Sequence, residues 1–496
     1  MLRILSLTAS GLCLLAFYPA TGCAAAEPPL SIVRPEAFRG WTTVRAETSV
    51  PKANVAAISL RIDERTIGSD TTFPYAVLID GKSLRPGRHQ LTLELVRRDG
   101  SRVRSSSGVV VIPGGNRREL RASPHRGFVR ARRALARGNV TVRLAPGRYP
   151  VSALRLGNGA RLVGSGPTTV LAAPTGPYWS AVAVEGSDTL LSDLSIDGAG
   201  QGGGEGHAVA VQPGARHFVA RRLQIRRVRT VGVYAWGKVT DISVQDSLIT
   251  SDGSADAGVI AALPGGNDYS VIRSRIAGFR GWGINFAQVA HENLVTGLRS
   301  LALDNVITDI DPPGHTHGTT EGGIWSGGAG ATIVGNDVRR TGWTGIETVG
   351  SSQGVYINHN RISATRTGIY LEHATLQSII ARNVIRNVRT GINVEWEYGG
   401  VGSGQNRFES NHVILASFVG LFIDVGADEN MVVGNRLEAA RSGIVLQGSS
   451  HNYVARNFVC RSTTAIEQRA GLWEDDRPAQ PVSNQITSNR VERRCT

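Results

Sequence analysis

Lysine is nearly missing from this chain of 496 residues, occurring only as Lys52, Lys82 and Lys238. A reaction that needs a lysine base is therefore excluded from everything beyond Lys238. Cysteine is almost as scarce. Of four, Cys13 and Cys23 stand in the first 26 residues, which leaves Cys460 and Cys495 for the folded part. Two thiols cannot build a disulfide framework or a cysteine-rich zinc set. Each follows an asparagine of the same repeated phrase, Asn457 and Asn489, so a single bridge or two buried thiols are the open alternatives. No basic stretch is interleaved with aromatics, and the net charge of +14 is spread along the chain. That pattern argues against nucleic acid and suits a polyanionic partner such as a polyuronate. The apolar run from Ile4 to Tyr18 is too short to span a membrane.

That run sits between Arg3 and the small residues Ala24-Ala25-Ala26, the layout of an export signal over residues 1–26. Ala20-Thr21-Gly22-Cys23 also resembles a bacterial lipoprotein box, with cleavage before Cys23 as the alternative. The expected location is secreted or periplasmic, and a lipid on Cys23 is the one foreseen link to a membrane. A monomer is expected.

What is abundant is glycine, 60 residues of it, and much of it recurs in one phrase. Gly323-Ile324-Trp325, Gly345-Ile346-Glu347, Gly368-Ile369-Tyr370, Gly391-Ile392-Asn393, Gly420-Leu421-Phe422, Gly443-Ile444-Val445 and Ala465-Ile466-Glu467 follow at intervals of 22, 23, 23, 29, 23 and 22 residues. A fixed period of this size marks a solenoid, each repeat one coil stacked on the last. A second phrase keeps step, through Asn336, Asn360, Asn383, Asn411, Asn435 and Asn457. The glycine is expected to permit close approach at a corner. The asparagine is expected at a bend, in left-handed backbone, with its amide bonded to its counterparts in an interior ladder. The two phrases together resemble the right-handed parallel β-helix of the pectin-lyase-like superfamily, over most of residues 117–496. The resemblance implies an all-β solenoid of about 22–26-residue coils, and a carbohydrate as partner.

Ahead of the repeat the text differs. Residues 27–115 alternate apolar and polar over short runs such as Val55–Ile62 and Gln90–Val96, with turns at Asp80-Gly81 and Asp99-Gly100. The stretch resembles bacterial immunoglobulin-like modules and predicts a small β-sandwich without a catalytic cluster. Residues 116–138 read as a linker and a basic amphipathic helix capping the first coil, and 139–496 as the β-helix. Two coils are over-long. The interval from Gly283 to Gly323 is 40 residues and ends in a loop with His315 and His317; Glu397–Gly404 lengthens another. Insertions in solenoids commonly frame the binding face.

Alternation along each strand sorts the outward residues into columns. Two positions after the glycine stand Trp325, Glu347, Tyr370, Asn393 and Phe422; four after it stand Glu372, Glu395, Asp424, Gln447 and, one coil on, Arg469. Acids on three successive coils lie about 4.8 Å apart at the backbone, and each neighbouring pair would repel by roughly 3 kcal/mol at an effective dielectric near 20. Such a cluster must share a proton, hold a cation or turn apart into water. Glu372, Glu395, Asp424 and Glu347 are the candidate catalytic residues, with Glu395 favoured as acid because acids flank it. Trp325, Tyr370, Trp396, Tyr398, His315, His317, Asn393 and Arg469 are the candidate substrate contacts.

The first expectation is an exported glycoside hydrolase without a cofactor, acting on a polysaccharide or oligosaccharide through a carboxylate pair. The alternative implied by the resemblance is a polyuronate lyase or epimerase, in which Glu372, Glu395 and Asp424 would hold Ca2+. A third reading is a non-catalytic glycan-binding coil or adhesin.

Overall fold

Alternating apolar residues at the N-terminal end and the Gly-Ile period beyond it produce two different kinds of sheet. The computed structural model describes residues 30–495 apart from 34–36, 39–40, 49, 51–53, 71–74, 81–83, 86, 112–117, 177, 200–205, 236, 262–265, 287–298, 312–321, 373, 396–401, 440 and 474–475. The expected export signal, Cys23, His315, His317, Trp396 and Tyr398 lie outside the described residues. The chain forms two compact units, Met1–Ile112 and Pro113–Thr496.

In the first unit, Leu30–Val33, Trp41–Thr48 and Ala76–Asp80 form a three-stranded antiparallel sheet. Ala37–Phe38, Arg102–Val111, Gly87–Arg97, Val55–Ile62 and Arg65–Asp70 form a five-stranded one. Every second residue of the two central strands points into the core, Ile58, Leu60 and Ile62 from one and Leu91, Leu93 and Leu95 from the other. Leu30 and Val44 of the smaller sheet join the same cluster.

The second unit is a right-handed parallel β-solenoid of about 12 turns. The helix Phe128–Arg137 buries Phe128, Ala131 and Leu135 and ends at Gly138, in left-handed backbone. Its Phe128 ring packs 4.8 Å from Tyr149 of the first coils. A typical coil runs Thr344–Gln353, Tyr356–Asn358 and Arg361–Ser363. It pairs in parallel with Gly322–Ala329, Thr332–Val334 and Asp337–Thr341 behind it, and with Thr367–Leu371, Ile379–Ala381 and Val384–Val394 ahead. The residue after each glycine is sealed inside: Ile324, Ile346, Ile369, Ile392, Leu421 and Ile444 have no exposed surface. Each such side chain contributes about 1.5–3 kcal/mol by leaving water. The glycine before them is needed for proximity. A Cβ on Gly345 would lie 2.4 Å from Ile362 and 2.7 Å from the carbonyl oxygen of Gly368 on the next coil.

The asparagines differ from expectation in one respect. At each coil the left-handed angle belongs to the residue before the asparagine: Asp304, Gly335, His359, Arg382, Ser410, Gly434 and Arg456. This frees the asparagine side chain to turn inward. Asn360 and Asn383 are typical: the backbone N–H and Nδ2 of Asn360 both donate to Asn383 Oδ1 at 3.0 Å, and Asn383 Nδ2 donates to Asn411 Oδ1 at 2.9 Å. The series extends from Asn305 to Asn489, and a second, parallel series runs through Asn406, Asn430, Asn452 and Asn484. Cys460 and Cys495 form a disulfide, closing the last coil.

Candidate active site

The parallel register places the outward residues as side-by-side columns on one strand face. Trp325, Glu347, Tyr370, Asn393, Phe422, Val445 and Glu467 are paired in sequence, one per coil. The acids lie two positions on. The N–H groups of Glu372, Glu395 and Asp424 each donate to the coil behind, to Thr348, Leu371 and Val394, at 2.9 Å. Glu372, Glu395 and Asp424 therefore occupy neighbouring rungs of one column, followed by Gln447 and Arg469. All five are half-buried.

Their partners distinguish them. The Tyr370 hydroxyl reaches both Glu395 Oε2 and, at 3.4 Å, Glu372 Oε1. Asn393 Nδ2 donates to the other oxygen of Glu395 at 2.8 Å. Glu395 thus accepts two hydrogen bonds from the adjacent column. Asp424 accepts from its neighbour's backbone, Val425, at 2.8 Å and from Gln447 Nε2 at 3.0 Å. Gln447 in turn accepts from Arg469 Nε at 2.7 Å, and Arg469 pairs with Glu467 at 3.1 Å. Among the described residues neither Glu395 nor Asp424 is ion-paired with an arginine.

Burial, and then the nearby charge of Glu395, push the Asp424 carboxyl up to about 6, against opposing hydrogen bonds. Glu347 is raised well above the ordinary carboxyl range, first by complete burial and then by the charge of Glu372. Burial and the charges of Glu372 and Glu395 also raise the Tyr370 phenol, so its hydroxyl remains a donor.

Four expectations change. Glu347 does not face solvent; it has no exposed surface, with Thr344 Oγ1 donating to it at 3.0 Å. A carboxyl so enclosed cannot touch a substrate and is held neutral. Trp325 is not an open platform for a sugar. It is buried, stacked on Trp282 at 5.3 Å and packed with Val349. Tyr370 is also buried, and it presents its hydroxyl to the acids rather than a ring face to solvent. Finally, the accessible carboxyl that the fold holds back from ionising is Asp424, where the flanking argument had pointed to Glu395. Burial is the largest cause of the Asp424 shift. Gln447 was visible in the acid column, but only its bond to Asp424 shows its use.

The calcium set implied by the resemblance does not assemble. Among the described residues, the one group of three ligand atoms within 4.8 Å is Glu438, Cys460 and Cys495, where the cysteines are already bridged. Glu372, Glu395 and Asp424 do not converge on a common point, and the Tyr370 hydroxyl reaches both Glu372 and Glu395. These residues do not fit a calcium ion as arranged.

Comparison with known proteins gives no match among curated sequences. Solved structures align at low identity. An exopolygalacturonase of family 28 from Yersinia enterocolitica is 10% identical, with a TM-score of 0.44, over 94% of this chain and 99% of that one. The catalytic domain of a GH87 alpha-1,3-glucanase is 12% identical, with a TM-score of 0.46, over 92% of both. The pectate lyase Pel9A is 12% identical, with a TM-score of 0.39, over 62% of this chain and 78% of that one. The family model for the right handed beta helix region matches residues 207–459. The chain belongs to the right-handed β-helix family.

Proposed function

We propose that the protein is a polysaccharide-active enzyme that hydrolyses a glycosidic bond with Asp424 as general acid and Glu395 as its partner carboxylate. The observation that supports it most is the contrast between two acids on adjacent coils. One is raised to about 6, chiefly by burial; the other accepts hydrogen bonds from Tyr370 and Asn393. Divergent environments for paired carboxyls are what acid–base glycoside chemistry requires.

The steps follow from the positions. Asp424 protonates the leaving oxygen as the glycosidic bond breaks. Glu395, fixed by two donors, attacks the anomeric carbon from the other side. Neighbouring rungs are about 4.8 Å apart, close to the roughly 5–5.5 Å carboxyl spacing of retaining enzymes. Asp424, now ionised, then takes a proton from the water that releases the sugar from Glu395. Gln447 holds Asp424 from the next coil and is itself held by Arg469. Export to the periplasm or medium belongs to the same reading, since polymeric glycans are met there.

Incubation with a glycan panel tests the assignment. New reducing ends without ultraviolet absorbance, unaffected by chelator and lost in Asp424→Asn, are expected. Unsaturated products that vanish on chelation would replace hydrolysis with elimination.

A further inference from the structure

The same strands carry a second pattern at their other end. Six residues before each of Glu372, Glu395, Asp424 and Gln447, at the corner that feeds the strand, stand Arg366, Arg389, Phe418 and Arg441, with Trp343 one coil behind. Backbone bonds hold these corners in register. Thr367 N–H donates to the Trp343 carbonyl at 2.9 Å, Arg389 N–H to Arg366 at 3.0 Å and Arg441 N–H to Phe418 at 3.3 Å.

The guanidinium groups rest on aromatic faces. Arg366 lies 3.9 Å from the Trp343 ring centre; Arg389 and Arg441 lie 5.3 and 5.0 Å from that of Phe418. All three arginines are exposed, and among the described residues none is ion-paired. Other arginines of the coil are held differently. Arg222, Arg273, Arg299 and Arg340 each reach an aspartate on a neighbouring coil: Asp193, Asp246, Asp268 and Asp309. Those four are tied to aspartates, whereas the three at the corner that feeds the acid-bearing strands rest on aromatic rings instead. A guanidinium that rests on a ring keeps its N–H edge free, and that edge matches a planar or tetrahedral oxyanion. Arg366 and Arg389 are one rung apart, and Arg441 is two rungs beyond, so the cations repeat along the solenoid axis.

We propose that Trp343, Arg366, Arg389, Phe418 and Arg441 form a rail that binds the oxyanions of a polyanionic glycan lying along the coils. The rail selects for carboxylated or sulfated sugar chains over neutral ones. It rests on the reading of this strand face as a glycan groove, and it concerns binding, independent of which bond is broken.

Affinity electrophoresis and calorimetry on the full chain test it, with a polyuronate, a sulfated polysaccharide and a neutral glucan as probes. The expected result is salt-sensitive binding of at least one polyanion, weakened at least ten-fold in Arg366→Gln/Arg389→Gln. Arg340→Gln, which removes a guanidinium already bonded to Asp309, should leave binding at the wild-type level, and unchanged melting temperatures exclude misfolding. Binding of the uronate alone or of the sulfated chain alone names the source of the oxyanion. Glu395→Gln should retain binding, so failure of the hydrolase assignment leaves the rail standing. Equal affinity for the neutral glucan, or undiminished polyanion binding by the double variant, would overturn it.

Discussion

Replacing Asp424 by asparagine should make the protein more stable at neutral pH while abolishing turnover. The carboxyl is shifted from an ordinary value of 3.8 to about 6, and each unit corresponds to about 1.4 kcal/mol. Ionising it at pH 7 therefore costs the folded state about 3 kcal/mol before screening, and about 1–3 kcal/mol once solvent at this half-buried position is allowed for. The folded protein holds this proton more tightly than the unfolded chain does. The contribution is thus fully present below pH about 4 and is lost as pH rises through about 6. Asparagine keeps the size and carries no charge at any pH. Asp424→Asn is expected to raise the melting temperature by about 1–4 °C at pH 7 and to leave it unchanged at pH 4. Thermal denaturation of both proteins at the two pH values measures this. A lower melting temperature for the variant at pH 7, or the same gain at both, would refute the idea that the fold strains this carboxyl toward its neutral form.

Other outcomes follow from the same geometry. kcat/KM should decline as pH rises past about 6, because the acid then loses its proton before substrate arrives; a pH–rate profile checks the limb. Tyr370→Phe removes the hydroxyl shared by Glu395 and Glu372 and should lower kcat by about 10–100-fold with little change in KM. Glu347→Gln should alter stability by less than about 1 kcal/mol, since a neutral carboxyl is replaced by a neutral amide of the same shape; Glu347→Ala should cost about 2–4 kcal/mol by opening a cavity, as chemical denaturation would show. Asn383→Ala removes an amide that donates to Ile357 and Asn411 and accepts twice from Asn360. It should cost about 3 kcal/mol or more, whereas Arg386→Ala, on an exposed face, should change little.

The coil and the acid column were legible because both are set by a period. Gly-Ile at a constant interval fixes which residue enters the core, and alternation then determines that Glu372, Glu395 and Asp424 leave it on the same side. What periodicity does not carry is depth. Glu347 and Tyr370 share an outward column with half-buried Asn393, yet both are covered. Nor does it carry side-chain direction. That Asn393 and Tyr370 turn toward Glu395, while Gln447 turns toward Asp424, depends on rotamers chosen in packing. The asparagines show the same limit at the backbone: their columns were evident, but the left-handed bend belongs to the residue before each of them.

The anomeric configuration of the first-formed sugar tests the central claim most directly. Proton magnetic resonance of a fresh digest, with the glycan the panel identifies, should show the new reducing end in the configuration of the bond that was cut, as a carboxyl pair on adjacent rungs requires. An inverted anomer, or an unsaturated sugar in place of a reducing end, would contradict the pairing of Asp424 with Glu395.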